Sequence, residues 1–382
     1  MKTIDQTKIA NGTRVLLRAD FNVAVQGGVV VDDFRIRKTI PTLDFLKKKG
    51  TNVVVVSHIE NAAGVEGEPT LRPVVEVLNK LGFPCEFAET IEEAAKKSAE
   101  QKTGFILLEN IRNYPGEAAN DPAFAKQLAT LGDIYVNDAF SVSHRVHASI
   151  VGVPKLLPHF VGFQFALEVE NLSKAFNPSH PFLFILGGAK FDTKLPLVQK
   201  FLDKAENIFI GGALANDFFK AKGFEVGRSM VSASKIDFGD LLLNKKIILP
   251  VDVAVDSVGK QKILDSDKVS KDEKILDAGP KTLAGLKEKI DAAKFILWNG
   301  PLGNYENGYK EPTYKLARMI ASATKNSVQS IVGGGDTLAA ITELKQTGGE
   351  SLEDAFTFVS TGGGAMLDFL SKGTLVGIEA LK

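Results

Sequence analysis

The chain has 382 residues, which exceeds the length over which one hydrophobic core usually keeps growing, so two domains are expected. Apolar residues make up 44% of it and charged residues 24%, both ordinary for a globular protein. Lysine plus arginine and aspartate plus glutamate each number 46, and this balance argues against a general nucleic-acid binder, which usually carries a basic excess.

The single cysteine, Cys85, excludes an internal disulfide, and we expect it to pack as a small buried apolar residue. The N-terminal stretch MKTIDQTKIANGTRV lacks the long apolar core of a signal peptide. Apolar runs such as 53–56 and 182–186 are far too short to span a bilayer. We therefore expect a cytoplasmic protein without a membrane or nucleic-acid partner.

Short apolar runs rich in valine, isoleucine and phenylalanine recur along the whole chain. Runs of this length and continuity are typical of parallel strands that are buried on both faces. The predicted strands are 15–17, 53–56, 105–108, 134–136, 182–186, 208–210, 247–249, 295–298, 329–332 and 357–359.

Helical patterns fill the intervals between these strands. Asp121 can cap a helix with Pro122 at its first position, and Gly132 stops that helix. The segment 71–82 repeats the pattern, with apolar residues on one face and a closing glycine. Alternation of strand and helix predicts an α/β fold with open parallel sheets, and the breaker-rich region 168–181 is the best candidate boundary.

Polar side chains come directly after the predicted strands of the first half, where ligands of open α/β sheets bind. These residues are Arg18, Asp20, Asn22, Ser57, His58, Glu109, Asn110, Arg112, Asn137 and Asp138. Arg35, His144 and Arg145 add further cationic or hydrogen-bonding groups. Arginine matches phosphate and carboxylate oxygens, so a small phosphorylated hydroxy acid would satisfy this set.

Glycine clusters follow the predicted strands of the second half, and glycine runs at helix starts can expose N–H groups to a pyrophosphate. The clusters are GGAK (187–190), GG (211–212), NGP (299–301), GGG (333–335) and TGGG (361–364). Asp336 could hold Mg²⁺ against nucleotide phosphates. Neither a P-loop nor a dinucleotide fingerprint occurs, and the pair His144 and His147 lacks the further ligands that a zinc site needs.

Ten motifs follow one another along the chain: RADFNVAV (18–25), DDFRIRKTIPT (32–42), LLENIRNYPGE (107–117), YVNDAFSVSHRVHAS (135–149), LGGAKFDTKL (186–195), LPVDVAV (249–255), DAGPKT (277–282), WNGPLGNYE (298–306), GGGDTLA (333–339) and STGGGAML (360–367). With these motifs the sequence resembles the phosphoglycerate kinase family from end to end. No single motif is specific, but their order over the whole chain is.

The resemblance implies two open parallel-sheet, Rossmann-like domains joined by an interdomain helix, with a cleft between them. Residues 1–167 would form the phosphoglycerate-binding domain and 168–181 the interdomain helix and hinge. Residues 182–364 would form the nucleotide-binding domain, and 365–382 would return to the first domain.

The implied function is reversible, Mg²⁺-dependent phosphoryl transfer between 1,3-bisphosphoglycerate and ADP, giving 3-phosphoglycerate and ATP, by a monomeric enzyme that closes by hinge bending. The implied substrate-binding residues are Asp20, Asn22, Arg35, His58, Arg112 and Arg145. The implied nucleotide-binding residues are Gly188, Ala189, Lys190, Lys194, Gly211, Gly212, Asn299, Pro301, Glu306, Gly333, Gly334, Gly335, Asp336 and Thr337. Arg35, Lys190, Gly334 and Gly363 would act in catalysis, and Asp336 would bind the metal.

Three departures from the family pattern stand out. Asn61 occupies the position of an expected arginine that contacts substrate phosphate, Ala24 replaces a proline, and Ser141-Val142 replaces Gly-Thr. The first departure suggests an alternative, a pseudokinase of the same fold that binds nucleotide without turnover. A second alternative is another α/β enzyme that uses a small phosphorylated acid, for example a dehydrogenase, and the absent dinucleotide fingerprint disfavours it.

Overall fold

The computed structural model of the chain describes residues 1–60, 68–100, 103–189, 191–233, 236–346 and 352–382. Two functional positions singled out in the sequence, Asn61 and Lys190, lie outside these described residues. The chain divides into two compact units. Unit 1 comprises Met1–Glu170 and Lys372–Lys382, and unit 2 comprises Asn171–Ser371.

The core of unit 1 is a parallel sheet of six strands in the order β5-β6-β4-β1-β7-β8, and β2 and β3 form a separate antiparallel pair. The described strands of unit 1 are β1 (Arg14–Arg18), β2 (Val25–Gln26), β3 (Val29–Val30), β4 (Asn52–Val56), β5 (Cys85–Ala88), β6 (Gly104–Leu108), β7 (Ile134–Asn137) and β8 (His159–Val161). Every residue of β4 is buried, because helices cover both faces of a parallel sheet.

The described helices of unit 1 are α1 (Phe34–Lys48), α2 (Arg72–Lys80), α3 (Ile91–Glu100), α4 (Pro115–Ala118), α5 (Pro122–Ala129) and α6 (Phe163–Ser173), the last of which crosses the boundary between the units. Helix α5 begins as predicted, because the Asp121 carboxylate accepts a hydrogen bond of 3.0 Å from the Ala123 N–H and Pro122 follows the cap. Helix α2 confirms the pattern of 71–82, and Val74 and Leu78 are its buried residues.

Unit 2 is built on a second parallel sheet of six strands, in the order β11-β10-β9-β15-β16-β17, beside a small antiparallel sheet in the order β13-β12-β14. Its described strands are β9 (Phe182–Leu186), β10 (Asn207–Ile210), β11 (Ile247–Ile248), β12 (Asp252–Ser257), β13 (Lys260–Asp265), β14 (Glu273–Ala278), β15 (Phe295–Asn299), β16 (Gln329–Gly333) and β17 (Phe358–Ser360).

The described helices of unit 2 are α7 (Phe191–Phe201), α8 (Ala213–Ala221), α9 (Pro280–Ala292), α10 (Glu311–Lys325), α11 (Gly335–Gln346) and α12 (Gly364–Lys372). Aromatic rings fill the space between helix and sheet. The Phe201 ring of α7 meets the Phe182 and Phe184 rings of β9 edge-on, with centroid distances of 6.0 and 5.2 Å. Such edge-to-face contacts add to the apolar burial that holds α7 on the sheet.

All ten predicted strands are present in the two parallel sheets, and the α/β fold class is confirmed. The sequence did not predict β5, β8, the β2–β3 pair or the antiparallel sheet β12–β14. Strand β13 consists almost entirely of exposed residues, so it lacks the apolar run by which the other strands were found. Cys85 of β5 is buried, as expected, and burial raises the pKa of its thiol to about 12.

Residues 372–382 group with unit 1 and contain a short helix, α13 (Val376–Glu379). The Gly377 N–H donates a hydrogen bond of 2.8 Å to the Ser143 carbonyl oxygen. Leu375, Ile378 and Leu381 are buried. This segment is therefore part of the core of unit 1, although it follows unit 2 in the chain.

Candidate functional site

The polar side chains of unit 1 gather at the carboxyl edge of its sheet. Asp20 follows β1, His58 follows β4 and Arg112 follows β6, and these three strands are adjacent in the sheet. Carboxyl ends of parallel strands share one edge, so the groups predicted from the sequence come together there. Arg35 reaches the same edge from the first turn of α1.

Asp20 contacts three other residues at this edge. Its carboxylate forms an ion pair with Arg35, accepts a hydrogen bond of 2.7 Å from the Ser141 hydroxyl, and accepts one of 3.2 Å from the Asn22 N–H. Burial alone would raise the pKa of Asp20, but the charge of Arg35, the proximity of His58 and these hydrogen bonds outweigh it and lower the pKa. Asp20 is therefore ionised and fixes the Arg35 guanidinium.

Ser141 joins the site through its side chain, which the sequence did not predict. The exchange of the family's glycine for serine at this position looked like a modest change of backbone. The hydroxyl instead reaches Asp20 across 121 positions of sequence.

Arg18 lies almost completely buried behind this edge, with 1% of its surface exposed. Its Nη1 donates to the Ala19 carbonyl oxygen at 2.6 Å, its Nε to the Ser149 hydroxyl at 3.0 Å, and its Nη2 to His58 Nδ1 at 3.3 Å. The Ser149 hydroxyl in turn donates to the Glu117 carboxylate at 2.6 Å. Burial first, and then the charge of Arg18, hold the pKa of His58 well below its ordinary value, so His58 is neutral at pH 7.

Further cations surround the same edge. Arg112 forms an ion pair with Glu60, and burial together with the charges of Arg18 and Arg145 lowers the pKa of Arg112. Burial and the three arginines Arg112, Arg18 and Arg145 lower the pKa of His147 to about 4. The groups are therefore close enough to repel one another.

The consequence is a cluster of positive charge, which we call the arginine cluster: Arg18, Arg35, Arg112 and Arg145. Since the neighbouring histidines are neutral, its charge resides on guanidinium groups that stay protonated at any physiological pH. Such a cluster favours a bound anion that carries carboxylate or phosphate oxygens.

In unit 2 the predicted glycine turns also lie at the carboxyl edge of the sheet, where their backbones pack directly on one another. The Gly188 N–H donates to the Pro301 carbonyl oxygen at 2.9 Å, and the Gly212 N–H donates to the Leu302 carbonyl oxygen at 3.0 Å. Gly212 has φ 62°, and a Cβ placed there would lie 2.5 Å from the Gly188 nitrogen. These two N–H groups are used inside the protein, so they differ from the phosphate donors that the glycine pattern predicted.

Three of the predicted nucleotide residues tie these turns together. The buried Thr337 hydroxyl accepts a hydrogen bond of 2.8 Å from the Gly300 N–H, and the Asn299 amide donates at 2.9 Å to the Gly333 carbonyl oxygen. The Lys194 ammonium donates to the Gly187 carbonyl oxygen. These hydrogen bonds connect the ends of β15 and β16, the loop after β15 with α11, and α7 with the loop after β9.

A cavity of about 250 Å³ opens beside these turns. Of the predicted nucleotide residues, those that line it are Gly188, Ala189, Gly212, Pro301, Glu306 and Asp336. The other predicted residues of the described part, namely Lys194, Gly211, Asn299, Gly333, Gly334, Gly335 and Thr337, do not line it. Apolar residues that the sequence did not single out form much of its wall, among them Phe219, Met230 and Val253.

Asp277 is a further lining residue that the sequence analysis missed as a functional group. It is buried, its Oδ1 accepts a hydrogen bond of 2.8 Å from the Ala278 N–H, and its Oδ2 has no hydrogen-bond partner among the described residues. Burial raises the pKa of this carboxyl group to about 8. The group is therefore largely protonated at pH 7.

Glu343 of α11 binds residues on both sides of Glu306. The Tyr305 hydroxyl hydrogen-bonds to the Glu343 carboxylate, and the Lys310 ammonium donates to the same carboxylate at 2.6 Å. Burial and the contact with Glu343 raise the pKa of Tyr305. Because α11 begins at Gly335, within the GGGDT motif, this contact links the Glu306 loop to the helix that carries Asp336.

Asp336 is the residue of this cavity that best fits a divalent cation. It is exposed and lines the cavity beside Gly188 and Ala189. Within the described ranges, no group of three or more His, Cys, Asp or Glu could hold a metal ion by itself. Mg²⁺ is usually bound by one or two carboxylates together with substrate phosphates, so a single carboxylate fits it.

The helices of the described part include none that is long and apolar enough to cross a membrane. The longest of them have 15 residues, about 22 Å at the ordinary rise of an α-helix, and each carries several charges.

Comparisons with known proteins identify the family of the chain. The family model for phosphoglycerate kinase matches residues 4–373. The chain is 42% identical to "Phosphoglycerate kinase" of Dictyoglomus turgidum over 97% of this chain and 96% of that protein. It is 39% identical to the protein of the same name from Chloroherpeton thalassium over 100% of this chain and 98% of that one.

Two solved structures are similar over almost their whole length. "Structure of phosphoglycerate kinase from Coxiella burnetii" has a TM-score of 0.80 and 33% identity and covers 99% of this chain and 98% of that one. "Crystal structure of Phosphoglycerate Kinase from Pyrococcus horikoshii OT3" has a TM-score of 0.85 and 29% identity, with coverages of 100% and 98%. The chain therefore belongs to the phosphoglycerate kinase family and is a phosphotransferase.

Proposed function

We propose that the chain transfers a phosphoryl group reversibly between 1,3-bisphosphoglycerate and ADP, giving 3-phosphoglycerate and ATP, as a step of glycolysis and gluconeogenesis. The observation that supports this most is the arginine cluster at the carboxyl edge of unit 1, whose positive charges are close enough to lower the pKa values of Arg112 and His147. Family membership supplies the identity of that anion.

Unit 1 would hold the phosphoglycerate. Asp20 and Asn22 suit the hydroxyl group of the glycerate part, and Arg35, Arg112 and Arg145 suit its phosphate and carboxylate oxygens. His58 would add a neutral hydrogen-bonding group, since its pKa lies well below neutrality.

Unit 2 would hold the nucleotide in the cavity beside the glycine turns. The apolar wall with Phe219, Met230 and Val253 suits a base, and the Glu306 carboxylate suits ribose hydroxyl groups. Asp336 would bind Mg²⁺ together with the nucleotide phosphates, and the ion would neutralise part of the phosphate charge. Lys190, outside the described residues, stays a prediction for the same site.

The chemistry requires positioning more than proton transfer. In the direction from 3-phosphoglycerate the nucleophile is a carboxylate, which is already ionised at pH 7 because its pKa lies near ~3.5. Catalysis then consists of alignment and of charge stabilisation by Arg35, Lys190 and N–H groups near Gly334 and Gly363. The two substrates must meet, so we propose hinge bending by a monomeric, cytoplasmic enzyme.

The test is a coupled assay of 3-phosphoglycerate-dependent ATP turnover with Mg²⁺, on the wild-type chain and on Arg112→Ala. Loss of a charge-assisted contact should raise the KM for 3-phosphoglycerate roughly tenfold to a hundredfold and leave the KM for ATP unchanged. Arg72→Ala is the matched control, because Arg72 of unit 1 also pairs with a glutamate but lies exposed in α2.

The same assay distinguishes the kinase from the alternative, a pseudokinase of the same fold. Nucleotide binding without any turnover in the wild-type chain would favour the pseudokinase, which no observation on this structure favours. Turnover with an unchanged KM in Arg112→Ala would contradict the proposed place of the phosphoglycerate.

A further inference from the structure

The feature that carries a further inference is the buried chain of contacts behind His58. It runs from Glu117 through Ser149 and Arg18 to His58, and Glu117, Ser149 and Arg18 are each at least 99% buried. Because Glu117 and Ser149 expose at most 1% of their surface, their effect on a bound substrate passes through Arg18 and His58, the substrate residue proposed above on which the inference rests.

The Ser149 hydroxyl donates to Glu117 and accepts from Arg18, and these two roles cannot be exchanged. Its single proton is donated to Glu117 Oε1 at 2.6 Å, so its lone pairs face the Nε–H of Arg18 at 3.0 Å. Two backbone contacts hold the residue in place, one of 2.8 Å from its N–H to Glu117 Oε2 and one of 2.6 Å from the Tyr135 hydroxyl to its carbonyl oxygen. The Glu117 carboxylate thus fixes both the position and the polarity of Ser149.

Ser149 thereby holds the Arg18 guanidinium in place, and Arg18 is a donor to His58 whatever the polarity of Ser149. A guanidinium group can only donate, so His58 Nδ1, at 3.3 Å from Arg18 Nη2, must be the acceptor and carries no proton. A neutral imidazole with an unprotonated Nδ1 carries its proton on Nε2. Arg35, Arg112 and Asp20 also face His58, and burial disfavours its charged form.

We propose that Glu117 and Ser149 are positioning residues that act through Arg18 to hold His58 as the Nε2–H tautomer. In this tautomer the ring offers a neutral donor to the oxygen of an anionic substrate. The opposite tautomer would present a lone pair to the same oxygen and repel it. No contact of Glu117 or Ser149 with the substrate is needed for this role.

The experiment combines histidine ¹⁵N NMR with kinetics on the full chain. In the wild-type protein the His58 ring, assigned with a His58→Gln variant, should show a protonated Nε2 and an unprotonated Nδ1 over the range in which it is neutral. Ser149→Ala should convert this signature into a mixture of tautomers. It should also raise the KM for 3-phosphoglycerate about tenfold and leave the KM for ATP unchanged.

Two comparisons sharpen the result. Ser98→Ala removes another buried hydroxyl of unit 1 that has no hydrogen-bond partner among the described residues, so it should leave both the spectrum and the KM unchanged. Glu117→Gln should act like Ser149→Ala, and the double variant should lose no more than either single variant. If Glu117→Gln does not fold, Ser149→Ala alone carries the comparison.

A protonated Nδ1 in the wild-type protein would overturn the proposal. So would a Ser149→Ala variant with an unchanged spectrum, whatever its KM. The NMR signature needs no substrate, so it tests the proposal even if Arg112→Ala shows that phosphoglycerate binds elsewhere. An intact signature with such a result would contradict the proposed site alone.

Discussion

Two buried carboxyl groups show how strongly the surroundings of a residue determine its charge. Asp20 has Arg35 and two hydrogen-bond donors beside it, and its pKa is lowered in spite of burial. Among the described residues, Asp277 has one backbone donor and no cation that lowers its pKa, and burial raises this pKa to about 8. At pH 7 Asp20 is therefore charged and Asp277 is largely neutral, although both are buried aspartates.

This difference predicts a pH effect on stability. Since the pKa of Asp277 is higher in the folded than in the unfolded state, its stabilising contribution is complete below about pH 4 and is lost as the pH rises to about 8. Asp277→Asn, which keeps an acceptor for the Ala278 N–H, should remove this loss. The variant should gain stability over the wild type between pH 5 and 8, by at most about 1.4 kcal/mol per pH unit.

Urea unfolding followed by the fluorescence of Trp298 measures this effect, because the single tryptophan of the chain is buried in unit 2. If the free energies of unfolding of variant and wild type differ by the same amount at pH 5 and pH 8, Asp277 is ionised in the folded state over this range.

Single residues also mark the limit of prediction from the sequence. Strand-end placement pointed to Asp20, His58 and Arg112, and the structure brings them to one edge. Strand-end placement could not point to the pair of Glu117 and Ser149, because their contact spans 32 positions and involves common polar residues. Such a contact depends on packing between elements, which a local pattern does not contain.

At the scale of elements, close approach between loops explains the glycine turns of unit 2. Gly187 packs so tightly on the loop after β15 that an added Cβ would lie 2.0 Å from the Pro301 carbonyl oxygen. Gly285, in the middle of α9, is exposed, and an added Cβ would meet nothing within 4 Å. The same substitution should therefore have opposite effects at the two positions.

Gly187→Ala should destabilise unit 2 by about 1–3 kcal/mol or more, because a backbone atom cannot move aside as a side chain can. Gly285→Ala should stabilise it by about 0.5–1 kcal/mol, the usual gain of alanine over glycine in an exposed helix. The Trp298 unfolding assay compares them. Equal changes of the same sign would show that the loop after β15 yields to the added methyl group.

Elements differed in how well the sequence predicted them. The buried strands of both parallel sheets stood out as apolar runs, and Asp121 with Pro122 marked the start of α5. Strand β13 did not stand out, since pairing with β12 holds it in place and most of its side chains face solvent. Pairing of this kind is a property of two segments together and leaves little trace in either one.

At the scale of the whole molecule, residues 372–382 pack in unit 1, although unit 2 separates them from the rest of unit 1 in the sequence. The Gly377 N–H bonds to the Ser143 carbonyl oxygen, and Leu375, Ile378 and Leu381 are buried. Deletion of 373–382 should therefore loosen unit 1 near the segment Ala148–Gly152, which carries Ser149.

Amide hydrogen exchange tests this expectation. In the deletion variant, protection should fall in the segment Ala148–Gly152 and its neighbours, while the strands of unit 2 keep theirs. A loss of protection confined to unit 2 would contradict the grouping of the last residues with unit 1.

The same discontinuity governs how the protein is made. Unit 2 is contiguous in sequence, whereas unit 1 consists of Met1–Glu170 and Lys372–Lys382. Domains generally fold as units while the ribosome extends the chain. Every residue of unit 2 is translated before Lys372, so unit 2 can complete its core first. Although Met1–Glu170 is translated first, the sheet that bears the arginine cluster therefore waits for α13 until unit 2 has been synthesised.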